Sequence, residues 1–265
     1  MGRLFTRALP VILLLLAFSP VNADVLDDIL ERGTLRVGVA EFVPWTMRGK
    51  SGELIGYEID VAGKIAEDMG VKADFSAYDW DDLIPALERD DIDIIAAGMA
   101  ITPARALRVN FTRPLADSGV GLVTNTKLTQ EIQTLTELND KSITIATVSD
   151  TLAQSLAERL FADANIKIYK APDKAAADLI GGRAHVYVGG IAEARFMALQ
   201  NPDKLDLPID KPLLASSEAL AVSKGEQEFL NFLDAWVTAR RTDQWLQATR
   251  DYWFGTLDWI EQAGK

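Results

Sequence analysis

Two βαβ series in tandem, one near-continuous apolar strand and an export-type N-terminus predict an α/β protein of two doubly wound lobes. In the first series, residues 25–31 read as a short helix ended by Gly33, and residues 35–40 as a strand. Residues 58–69 place Ile59, Ala62, Ile65, Ala66 and Met69 on one helical face, with Gly70 as the stop just beyond it. A strand over 73–78, a helix over 81–88 and a strand over 92–97 follow. That last run is apolar almost throughout, as in a parallel sheet covered on both faces. The second series has strands over 143–147, 166–169 and 185–188, alternating with helices over 151–162, 173–180 and 191–199. Residues 120–124 read as a strand crossing between the series and residues 219–222 as a strand returning. The tail, 226–254, reads as helical, with Trp236, Trp245 and Trp253 as packing anchors.

The first 23 residues carry Arg3 and Arg7, a compact apolar run, a Ser-Pro break and small residues ending at Ala23. This is the pattern of a secretory signal peptide, too short to span a bilayer. No cysteine is present, so neither disulfides nor an N-terminal lipid anchor is expected on the mature chain. The expected setting is a free, soluble protein in the periplasm of a two-membrane bacterium. Removal of the leader takes away two arginines and no acid, moving the net charge from −12 to −14. Such a balance argues against nucleic acid and anionic membranes as partners, since both demand basic patches.

Ligands of open α/β sheets sit beyond the carboxyl ends of strands. The most informative junction is Gly98-Met99-Ala100-Ile101-Thr102-Pro103-Ala104-Arg105, where Thr102 reads as an N-cap and Pro103 as the first helical residue. Free amides at that start, with the Arg105 guanidinium one turn in, fit a carboxylate. Ser149, Asp150 and Thr151 form the matching junction of the second series; Ser149 or Asp150 can cap the next helix. Phe42, Trp45 and Trp80 fall in the same set of loops and suggest apolar walls, although any one aromatic is more often core. Asp81, Asp82, Glu88, Asp90 and Asp91 lie on helix flanks and turns and read as a solvated face, not a metal site. His185 is the only histidine and reads as structural. Nucleophile-elbow, phosphate-loop and dinucleotide glycine patterns are lacking; neither a cofactor nor a metal is expected.

Five stretches resemble the polar-amino-acid type of periplasmic solute-binding proteins, family 3 of the substrate-binding proteins of ABC transporters. They are Glu-Arg-Gly-Thr-Leu-Arg-Val-Gly-Val from Glu31, Gly-Tyr-Glu-Ile-Asp-Val-Ala from Gly56, Trp-Asp-Asp-Leu-Ile-Pro-Ala-Leu from Trp80, the run from Asp93 to Arg105, and Tyr-Trp-Phe-Gly from Tyr252. The resemblance implies a type II periplasmic binding protein-like fold with two hinge strands. Lobe 1 would comprise residues 24–120 and 219–265, and lobe 2 residues 121–218. It also implies hinged closure, a small carboxylate-bearing ligand, delivery to the membrane permease of an ABC importer, and action as a monomer without enzymatic activity.

Carried over by position, Arg105 would clamp the ligand's carboxylate with backbone from Gly98, Met99, Ala100, Asp150 and Thr151, and Phe42 and Trp80 would sandwich its side chain. Family members that bind amino acids usually hold the ammonium with an aspartate where this chain has Gly189-Gly190. The usual hydroxyl residue is Ala100, and the early acidic partner falls at Ala40 or Glu41. The carboxylate half of the site therefore reads as intact and the ammonium half as dismantled. An organic acid or atypical amino acid is expected unless Glu41 or Glu193 substitutes. The run Gly190-Ile-Ala-Glu193-Ala-Arg195 is also similar to the segment that supplies the catalytic glutamate of cyclohexadienyl (prephenate/arogenate) dehydratases on this fold. That resemblance gives the alternative, a lyase using Glu193 as general acid.

Overall fold

The computed structural model describes residues 25–264. The signal peptide expected over residues 1–23 lies outside the described residues. The chain opens with α1 (Val25–Arg32), which Gly33 ends at a φ of 69°. Next come β1 (Thr34–Val39), a hairpin of β2 (Met47–Arg48) and β3 (Leu54–Ile55), and α2 (Tyr57–Met69). β4 (Lys72–Ala77), α3 (Leu83–Glu88), β5 (Ile94–Ile95), α4 (Pro103–Ala106) and β6 (Asn110–Phe111) complete the first βαβ series. A long strand, β7 (Ala116–Asn125), leads through α5 (Thr126–Thr129) to β8 (Thr144–Val148), α6 (Leu152–Leu160), β9 (Asn165–Tyr169) and α7 (Pro172–Ile180). β10 (Val186–Gly190), α8 (Ile191–Gln200), β11 (Leu205–Asp206), β12 (Leu214–Glu218) and β13 (Ala221–Val222) follow, then α9 (Gln227–Thr242) and α10 (Trp245–Arg250).

These strands form two twisted sheets, one per lobe. The first has the order β4-β1-β5-β13-β6, parallel among β4, β1 and β5 and closed by antiparallel β13 and β6. The second has the order β11-β7-β10-β8-β9, parallel among β10, β8 and β9, with β12 also on β7. Each sheet is covered by its crossover helices, and buried apolar side chains cluster on both faces. Among the described residues no helix is long and apolar enough to cross a membrane.

Two strands join the lobes. The first half of β7 pairs antiparallel with β12, Ala116 opposite Glu218 through Val120 opposite Leu214, while its second half pairs with β10 and β11. Gly119 lets these segments approach: a Cβ there would stand 2.4 Å from the Pro212 Cβ and 2.5 Å from the Leu214 carbonyl oxygen.

Several sequence expectations shift. The returning strand is β12, at Leu214–Glu218, and not residues 219–222; the latter end in β13, already inside the first sheet. The stretch Leu-Ala-Ser-Ser-Glu lacks an apolar pattern because its pairing lies along one partner, β7, at the neck of the molecule. The tail is not one helix. It breaks at Gln244, which takes a φ of 67°, and ends in a π-helical turn over Asp251–Gly255. Trp236 and Trp253 anchor it as expected, their indole N–H groups donating to Asp68 and Asp60. The buried stripe of α2 is Tyr57, Glu58, Val61, Ala62, Ile65 and Ala66, with Ile59 and Met69 at its edge. One rotation of the face thus carries a glutamate inside.

Candidate functional site

A cavity of about 80 Å³ lies between the lobes, beyond the carboxyl ends of β5, β8 and β10. Phe42, Trp45, Trp80, Gly98, Ala100, Arg105, Thr151, Gly190 and Glu193 all line it, so most residues singled out in the sequence converge. A larger cleft of about 760 Å³ shares Phe42, Trp80 and Glu193 with it, so these three side chains stand between the two spaces. The Phe42 and Trp80 rings meet edge to face, centroids 5.3 Å apart.

Arg105 is held by its loop. Thr102 caps α4 and Pro103 takes the first helical position, as the sequence predicts, but α4 is a single turn. The cap accepts the Arg105 amide at 3.3 Å, so the functional element is the side chain and not a row of free amides. The guanidinium donates to the Ala100 carbonyl at 3.0 Å and, across the cleft, to the Asp150 carbonyl at 2.9 Å. Its Cζ lies 5.3 Å from the Trp80 ring centroid. Burial pushes Arg105 down to about 10, against a smaller upward pull from Asp150. It stays protonated at neutral pH yet has no ion-pair partner among the described residues.

On the second lobe, Thr151 and not Ser149 or Asp150 caps α6: its Oγ1 accepts the Gln154 amide at 3.1 Å. Asp150 instead turns into the left-handed region, φ 56°, and presents its carbonyl to both Arg105 and the Trp80 indole N–H, the latter at 3.1 Å. Ser149 Oγ is buried without a partner. With a Lys170–Asp81 pair at 3.9 Å, these bonds tie the lobes together in a closed arrangement.

Three other predicted residues are placed differently. Glu41 is exposed, pairs with Arg48 at 2.7 Å and borders only the larger cleft. Met99 is buried in the core behind the loop. Trp45 is both wall and core. Its ring packs on Phe254, and a Cβ on Gly98 or Gly190 would meet it at 2.4 Å and 3.1 Å. The indole thus fills the space beside Gly190 where a longer side chain would point.

The cavity also holds what sequence reasoning missed. Glu218, the last residue of β12, lines it together with Ser118, Gly119, Val120 and Ser216 of the neck. Its side chain is 5% exposed and accepts the Trp45 indole N–H at 2.9 Å. An isolated bridge to Ala100 fastens it to the arginine loop. Burial raises its pKa, opposed by hydrogen bonds from Ser118 and Trp45. Glu193, in the first turn of α8, is 3% exposed and accepts the Tyr187 hydroxyl at 2.8 Å; burial pushes it up to about 7. Behind both, Glu58 accepts the Gly98 amide at 2.8 Å and is pushed up to about 8 by burial and by Glu218. No motif marks Glu218: a glutamate closing a serine-rich stretch reads as surface until β12 is paired.

His185, read as structural, accepts the Thr144 amide on Nδ1 at 3.1 Å.

The bacterial extracellular solute-binding proteins, family 3, match this chain over residues 35–256. An octopine-binding periplasmic protein of Rhizobium meliloti is 28% identical over 205 residues, 69% of each chain. A cyclohexadienyl dehydratase of Pseudomonas aeruginosa is 24% identical over 258 residues, 96% of this chain and 95% of the enzyme. A lysine complex of an ABC transporter binding component from Wolinella succinogenes superposes with a TM-score of 0.81 at 31% identity, covering 87% of this chain and 99% of that one.

Proposed function

The chain belongs to family 3 of the bacterial extracellular solute-binding proteins, and from that premise we propose that it is the periplasmic substrate-binding protein of an ABC importer. It takes a small carboxylate-bearing solute, an organic acid or atypical amino acid, between two lobes by hinged closure. It works as a monomer that hands the solute to the membrane permease. Residues 24–120 with 219–265 form one closing body and 121–218 the other.

One observation carries the reading: a desolvated, protonated guanidinium lines the interlobe cavity, hydrogen-bonded among the described residues to carbonyl oxygens only. A carboxylate replacing those carbonyls would gain charge-assisted, bidentate bonding at low dielectric. An apolar cavity of about 150 Å³ admits benzene, so a space of about 80 Å³ suits a polar head group. The rest of the solute would pass between Phe42 and Trp80 toward the larger cleft. Arg105→Ala is expected to abolish ligand-induced thermal stabilisation while leaving the fold intact by circular dichroism. Undiminished stabilisation would remove Arg105 as the anchor.

Glu193 supports a second reading, a cyclohexadienyl dehydratase-like activity. A carboxyl pushed up to about 7 in a closed cavity can donate its proton at neutral pH. Protonating a leaving hydroxyl would release water while carboxylate loss as carbon dioxide leaves the electron pair in the new aromatic ring. On this reading the protein converts prephenate or arogenate to product absorbing in the near ultraviolet, and Glu193→Gln abolishes the conversion. No product at high protein concentration rules the activity out.

A further inference from the structure

We propose that the tail beyond the π-helical turn, residues 256–264, is a latch between the lobes: Trp259 docks on α8 when they close and holds them together before any solute is bound. Such a latch rests on the two closing bodies proposed above and asks nothing of the solute's chemistry.

The tail is fastened to the first lobe. The Trp259 indole N–H donates to the Trp253 carbonyl at 2.9 Å, and the two rings lie with centroids 5.4 Å apart. Trp253 in turn donates to Asp60 of α2 at 2.6 Å. Further along, the Lys50 amide donates to the Gln262 carbonyl at 3.0 Å and the Gly264 amide to the Arg48 carbonyl at 2.8 Å, which lays the tail along the β2–β3 hairpin. The Gln262 side-chain amide donates to the Tyr252 hydroxyl at 2.7 Å. None of these bonds needs the second lobe.

What Trp259 offers the second lobe is apolar. Its ring stacks on Phe196 of α8, centroids 5.1 Å and planes 29° apart. Ala192, one turn earlier on α8, packs against the same buried cluster. Among the described residues these two are the only side chains of 121–218 that join this first-lobe cluster. Trp259 is 1% exposed. Swinging α8 away would return part of its ring to water, and covering an aromatic face is favourable whether or not solute is present.

The polar crossing inside the cavity differs in kind. Arg105 reaches the Asp150 carbonyl there, where an arriving carboxylate competes for the guanidinium. Trp259 does not line that cavity, so solute entry leaves its contact in place. Glu193 directly follows Ala192 on α8 and lines both spaces, so the helix that the latch holds also carries an acid of the cavity. Ala263 and Gly264 border the larger cleft beside Phe196, which makes the tail part of its rim. The family match ends at residue 256, before Trp259, so the docking ring comes from outside the matched region.

Pulsed dipolar spectroscopy on the whole protein, stripped of co-purified solute by unfolding and refolding, tests the latch. No native cysteine is present, so nitroxides at Ser76→Cys and Lys174→Cys, both exposed, report the separation of β4 from α7. The wild type is expected to populate mainly the short distance of the closed arrangement. Phe196→Ala cuts back a partly buried ring and leaves the first-lobe core intact; it is expected to lower the ratio of short to long distances about tenfold. Trp259→Ala should do the same, and the double variant no more than either alone, because all three remove one contact. A wild type already at the long distance would overturn the latch. So would a Phe196→Ala distribution matching wild type, including one accompanied by a lower melting temperature, since a merely structural ring moves only the latter. A Trp80→Ala/Arg105→Ala pair, which removes polar crossings and spares the tail, separates this from the reading beneath it. Lengthening in that pair but not in Phe196→Ala removes the latch alone. One unchanging distance across wild type and all variants discards hinged closure, and the latch with it.

Discussion

Glu58 shows how one buried carboxyl can set the pH behaviour of a molecule. It sits in the first turn of α2 at 1% exposure, with one oxygen on the Gly98 amide and the other without a partner. Burial is the main reason its pKa is pushed up to about 8 from an ordinary 4.5. Between those values the native state holds a proton that the unfolded chain has released, so stability falls as pH rises through the window. Glu193 and Glu218 are raised as well and act with the same sign. Glu58→Gln is therefore expected to raise the melting temperature by several degrees at about pH 9, with little change at about pH 4. Parallel wild-type and variant profiles would show that Glu58 carries no such proton. The sequence hides this residue because Glu58 opens a helix, where an acid is ordinarily a solvated partner of the dipole.

Among the elements, β7 and β12 decide most. Their pairing forms the neck, and Gly119 permits it by bringing β7 within van der Waals reach of Pro212 and the Leu214 carbonyl. Backbone cannot yield as a flexible side chain can. Gly119→Ala is expected to cost about 1–3 kcal/mol, a fall of several degrees in melting temperature for a chain of this size. Thermal unfolding against Gly63→Ala, where a Cβ would meet nothing within 4 Å, checks it. The parallel strands β1 and β8 and the crossover helices α2, α6, α7 and α8 were legible within a residue or two, because burial writes itself as apolar runs and 3.6-residue periods. β12 was not. It is paired along one edge with polar side chains, so its strand character comes from β7 and not from its own residues.

For the whole molecule, the polar bonds that cross between the lobes are Arg105 and Trp80 to one carbonyl at Asp150, and Lys170 to Asp81, and an apolar contact joins them, Phe196 of α8 stacking on Trp259 with ring centroids 5.1 Å apart. The small cavity and the larger cleft meet at Phe42, Trp80 and Glu193.

Unaided, the sequence determined the α/β class, the doubled βαβ series, and the strand-to-helix junctions, Arg105 among them, that line the cavity between the lobes. All of these follow from local periodicity and from where strands hand over to helices. Glu193 was named from the sequence, but only the tertiary structure added Glu218 to the cavity and turned Glu41 away from it. Glu41, adjacent to the predicted loops, swings out to Arg48, while Glu218 and Glu58, 160 residues apart in sequence, are buried beside it. Burial and the loss of solvation that comes with it are properties of packed elements, and no spacing along the chain encodes them.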